Sequence, residues 1–109
     1  MNYEEEARRN AFKPIEENPI ILDFHRCRYL GEVHLILKRK FGLPEYYGEN
    51  WDALWDCLDG LFTDRGNYLV KIQGFSSMPP DLRDECVKML EVFDDVHTAT
   101  PNVAFEFLS

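Results

Sequence analysis

Pro19-Ile20-Ile21-Leu22-Asp23-Phe24 is a short, apolar, β-rich run behind a proline, and it reads as a strand buried on both faces. Strands of that kind belong to parallel sheets covered by helices, and helical patterns do follow. Leu30, Val33, Leu37 and Phe41 recur at helical spacing, Lys38, Arg39 and Lys40 crowd the last turn, and Gly42 and Pro44 lie just beyond. Asn50 suits the N-cap of a second helix over Trp51 to Leu61, with Gly60 marking its end. A second strand runs from Tyr68 to Phe75, where Leu69, Val70 and Ile72 supply the apolar content and Gly74 ends the run. Pro79 and Pro80 open a third helix whose stripe Leu82, Cys86, Met89 and Phe93 follows i, i+4, i+7 and i+11, and Val103 to Leu108 makes a last strand. This alternation predicts an α/β fold, a small three-stranded parallel sheet packed with α-helices and joined by right-handed crossovers.

At 109 residues the chain fits one ordinary domain. We place that domain at residues 19–109 and read residues 1–18, charged and broken by Pro14 and Pro19, as a peripheral arm in which Glu4 to Phe12 can form a short helix. No apolar run approaches the roughly 18 residues of a membrane span, and the charged start from Met1 to Arg9 shows no secretory signal, so a cytoplasmic protein is expected. Cys27, Cys57 and Cys86 are odd in number and widely spaced, which fits reduced, core-packed thiols.

The net charge of -8 disfavours binding to nucleic acid or to an anionic membrane and makes a basic partner the natural complement. The excess is concentrated. Between Pro44 and Asp64 stand Glu45, Glu49, Asp52, Asp56, Asp59 and Asp64 with no Lys or Arg, and a second acidic stretch runs from Asp81 to Asp95. On the second helix, at about 100° per residue, Asp52, Asp56 and Asp59 share one narrow sector, opposite Leu54, Cys57, Leu58 and Leu61, with Trp55 on the border. Like charges one turn apart cost an isolated helix a few tenths of a kcal/mol, so stability alone does not select the pattern. Carboxylates beside Trp55, after a loop holding Tyr46 and Tyr47, have the composition of a hot spot for Arg and Lys.

The same residues admit other readings. The acids can form a plain solvated face, and paired carboxylates can divide acid and base roles, but neither a histidine nor a Gly-rich phosphate loop accompanies these. One helix face cannot wrap a divalent cation, and His25, His34 and His97 form no ligand pair and read as structural, so no metal or other cofactor is expected. The basic triplet Lys38 to Lys40 is read as complementing the helix carbonyl end.

The segment Leu43-Pro44-Glu45-Tyr46-Tyr47-Gly48-Glu49-Asn50-Trp51-Asp52-Ala53-Leu54-Trp55-Asp56-Cys57-Leu58 resembles the signature of the barstar family of intracellular ribonuclease inhibitors, and the order of elements from Ile20 to Ser109 is similar too. The resemblance implies a loop and second helix that plug the active site of a basic, secreted ribonuclease with acids standing in for RNA phosphates. By that resemblance Tyr46, Asn50, Asp52, Trp55 and Asp56 hold contact positions, Asp56 being the one that enters the phosphate site, and Gly48 lets the loop approach closely. Asp95 falls where the family has a glutamate, one methylene longer, and Trp51 where the type member has leucine. Tyr47, Trp51, Asp59 and Gly60 complete the expected partner surface. The expectation is a non-enzymatic immunity protein, monomeric until it forms a 1:1 heterodimer with a basic ribonuclease. The alternative is a similar module whose partner is a non-ribonuclease toxin or another basic protein.

Overall fold

The computed structural model describes residues 15, 17–62 and 66–109; the expected helix over Glu4 to Phe12, and Asp64 of the acidic stretch, lie outside the described residues. Strands β1 (Ile20–Asp23), β2 (Tyr68–Gln73) and β3 (Val103–Phe107) form one parallel sheet in the order β1-β2-β3. Register places Ile20 and Phe105 on either side of Val70, and Leu22 and Phe107 on either side of Ile72, so these side chains project to one face. Ile20, Leu22, Val70, Ile72 and Val103 on that face are buried, whereas Asp23, Ala104 and Glu106 on the other are exposed. The sequence expectation for β1 is corrected here. It is an edge strand buried on one face, with Ile21 only half-buried, because the helices cover a single side of the sheet.

Three helices supply that cover: α1 (Leu30–Phe41), α2 (Trp51–Leu61) and α3 (Pro80–Ala99). At the start of α1 the Glu32 carboxylate accepts from the backbone N–H groups of Arg28 and Tyr29, at 2.9 and 3.1 Å, donors that sit just ahead of the helix. At its end Gly42 adopts φ 63°, and the Leu43 N–H donates to the Lys38 carbonyl at 2.9 Å, closing the helix as the sequence predicts. Lys38 pairs with Glu45 at 3.6 Å and Lys40 with Glu17 at 2.8 Å, so two cations of the basic triplet are engaged locally. The inward stripe of α1 is Val33, His34, Leu37 and Phe41, and Leu30, expected to join it, is exposed.

The second strand stops short of Phe75 because Gly74 turns the chain at φ 76°, and a Cβ there would stand 2.3 Å from the His25 backbone nitrogen. A single 3-10 turn, Phe75–Ser77, leads to α3. Leu82, Cys86, Met89, Phe93 and Val96 of α3 face inward, and the Phe93 ring stacks on Phe105 of β3 at 4.6 Å. Each fully buried side chain of this size contributes about 1.5–3 kcal/mol to folding. α1 packs on β1, α3 on β3, and α2 chiefly on α3. That last contact positions the site: α2 rests on another helix, with its far side turned away from the core.

Cys27, Cys57 and Cys86 are free and buried, as expected. Burial pushes the Cys27 and Cys86 thiols up to about 11, so they are neutral at physiological pH.

Candidate partner-binding site

Asn50 builds the junction between loop and helix. Its Oδ1 accepts from the Ala53 N–H at 2.8 Å, capping α2, while its Nδ2 donates to the Gly48 carbonyl at 3.2 Å and folds the loop back on the helix start. A Cβ on Gly48 would meet that Nδ2 at 3.2 Å, which makes glycine the best fit in this turn. Glu49, between them, sits at φ 49°, a left-handed conformation unusual for a residue with a side chain.

The two tyrosines divide. Tyr46 is 60% exposed, available to a partner. Tyr47 is 6% exposed, its hydroxyl 2.6 Å from His34 Nδ1, and burial raises its phenol far above the ordinary range. In the free chain its side chain therefore holds the loop from beneath.

On α2 the helical wheel holds: Asp52, Asp56 and Asp59 are exposed, while Leu54, Cys57 and Leu58 are buried. Leu61, placed with the core group, is half-buried, and Gly60 is an exposed position within the last turn. Trp51 and Trp55 are half-buried and line one wall of an open groove of about 560 Å³, with Asn50 and Asp52. Lys88, Glu91, Val92 and Asp95 of α3 form the opposite wall. Five expected contact residues, Asn50, Trp51, Asp52, Trp55 and Asp95, thus meet at one groove, and Asp56 and Asp59 continue the same acidic face beside it. Three carboxylates and two indole faces around a groove suit a guanidinium or ammonium group, which pairs with the former and stacks on the latter.

Sequence reasoning did not single out Lys88, Glu91 or Val92 as groove residues. Their spacing with Asp95, i, i+3, i+4 and i+7, marks a common stripe on α3, but only the packing of α2 on α3 shows that this stripe faces Trp51. Trp51 is itself bound to α3, its indole N–H donating to Glu85 Oε1 at 3.0 Å. That bond, with Lys88 at 3.3 Å, lowers the Glu85 pKa below its ordinary value.

The sequence profile described as "Barstar (barnase inhibitor)" matches residues 18–108. The chain belongs to the barstar family. A Bacillus subtilis (strain 168) protein named "Putative ribonuclease inhibitor YrdF" is similar, 49% identical over 41 residues, which cover 38% of this chain and 45% of that protein. The three-stranded parallel sheet and the three helices among the described residues are consistent with a barstar-like α/β fold. Among the described residues no group of three or more His, Cys, Asp and Glu side chains converges as a metal site would require, and no helix is long and apolar enough to cross a membrane.

Proposed function

We propose that this barstar-family chain inhibits a basic, secreted ribonuclease of the barnase type by laying the acidic face of α2 and the loop before it across the enzyme's active site. The observation that carries this reading is the joint exposure of Asp52, Asp56 and Asp59 beside the Trp51 and Trp55 groove, on a helix whose other side buries Leu54, Cys57 and Leu58. Carboxylates so placed can take the positions of RNA phosphates, and Asp56 is the residue assigned to the central phosphate site. Formed inside the producing cell as a 1:1 heterodimer, such a complex protects that cell's own RNA, the role of an immunity protein.

Titration of barnase with the purified chain, following RNA cleavage, tests the proposal. Complete inhibition at one equivalent is expected. A chain that leaves RNA cleavage untouched, yet captures a basic non-nuclease from culture supernatant, would move the function to the alternative partner class.

A further inference from the structure

Among the described residues His34 is the polar side chain buried in the core, 2% exposed on the inward stripe of α1. Its ring touches both elements that present the acidic surface. Nδ1 lies 2.6 Å from the Tyr47 hydroxyl in the loop, and the ring packs at a tilt of 38° against the Trp51 indole at the first position of α2, centroids 4.7 Å apart. Nε2 is buried with no hydrogen-bond partner among the described residues. A neutral imidazole tolerates one unpaired nitrogen, but an imidazolium carries N–H groups at both, and one of them would be a charged donor with no acceptor in a site closed to water.

The titratable groups acting on this ring are Tyr47 and Glu49 from the loop, while Cys57 of α2 acts on Tyr47 and Glu85 of α3 is bonded to Trp51. On α1 itself Lys38, one turn on, is paired with Glu45. Burial disfavours the cation and outweighs the opposite pull of the Glu49 carboxylate, so the His34 pKa lies below its ordinary 6.5.

We propose that His34 is a positioning residue for partner binding, its neutral ring clamping the loop through Tyr47 and the start of α2 through Trp51, and its protonation releasing both. The inference rests on reading this surface as the partner site. The sign follows from linkage. The unfolded chain takes up the proton more readily than the folded one, so the clamp is intact above pH 6.5 and is lost as pH falls from there through the lowered folded value.

NMR on the free chain is the test, following the His34 ring, the Trp51 indole N–H and the Gly48 amide from about pH 8 to about pH 4.5. The Trp51 and Gly48 signals are expected to shift with the midpoint of the His34 ring while the Val70 and Ile72 amides stay still. In His34→Gln that step vanishes. In Tyr47→Phe, which keeps the buried ring, the Gly48 step is lost and the Trp51 step persists, and this variant carries the test if His34→Gln fails to fold. Signals that move at another midpoint, a step that survives in His34→Gln, or a His34 that titrates only as the sheet signals collapse would each overturn the clamp. In barnase inhibition the wild type should weaken on acidification relative to His34→Gln, by at most about tenfold per pH unit, the limit for one linked proton. If the chain does not inhibit barnase, the reading of the surface fails, while the free-chain spectra still decide the clamp.

Discussion

The indole N–H of Trp51 donates to Glu85 Oε1 at 3.0 Å, tying the first residue of α2 to the second turn of α3. The helix carrying the tryptophans and the helix carrying Asp95 are thereby fixed to each other.

That bond predicts an acid titration. Glu85 has a lowered pKa, so the contact is present above the ordinary carboxyl value of 4.5 and is lost as pH falls through the folded value. The Trp51 indole signal should therefore show a step below pH 4.5 that disappears in Glu85→Gln. Persistence of the step in that variant assigns it to another carboxylate.

Asp56→Ala should weaken the ribonuclease complex by about 2 to 5 kcal/mol, a factor of roughly thirty to several thousand, because one charge of a buried interfacial pair is left unpartnered. Its side chain is exposed in the free chain, so the melting curve should move by less than about 0.5 kcal/mol. Trp55→Phe should cost less affinity than Trp55→Ala, since the ring face is retained. Inhibition titrations with circular dichroism check all three, and full inhibition by Asp56→Ala removes the phosphate-mimic role.

Two glycines should respond with opposite signs. A Cβ on Gly60 meets no atom within 4 Å in the helix, so Gly60→Ala should stabilise the free chain by about 0.5–1 kcal/mol. Gly74→Ala forces a Cβ against the His25 backbone at positive φ and should destabilise by about 2 kcal/mol or more. Denaturant melts distinguish them. If Gly60→Ala stabilises yet inhibits less well, close approach of a partner at that position is the reason.

Association with the ribonuclease should slow steeply as salt rises, since screening over about 8 Å at 0.15 M removes the long-range attraction of the acidic face. Barstar with barnase is itself the standard case of such steering, so the salt dependence expected here is carried over from that pair to this chain. Stopped-flow rates that stay flat with ionic strength would exclude steering.

The thiols should be silent in the native state. Cys27 and Cys86 are buried and neutral at physiological pH, so a thiol reagent should label none of the three cysteines until the chain unfolds, and reductant should leave the melting temperature unchanged. Rapid labelling of the folded protein would show that one of them is reached by solvent.

Much of the site was legible because local rules decide it. Asn50 as cap, Gly42 as stop and the sector of Asp52, Asp56 and Asp59 follow from helix geometry over a few residues. What sequence could not show depends on packing between distant elements. An apolar run such as Ile20 to Phe24 looks alike whether helices cover one side of the sheet or both, and only the one-sided cover leaves Asp23 exposed. Adjacent tyrosines look equivalent until one ring finds His34 beneath it. Glu91 and Val92 come to line the groove only through the packing of α2 on α3.

The seating of α2 on α3, with the acids on its far side, also separates two kinds of change. If α2 presents the partner surface as proposed, substitutions at Asp52, Asp56 or Asp59 would alter whom the protein meets without reopening the interior, since none of these side chains is buried. A designer could therefore re-aim the scaffold at a differently charged target by exchanging outward residues alone, keeping Leu54, Cys57 and Leu58 as a fixed chassis.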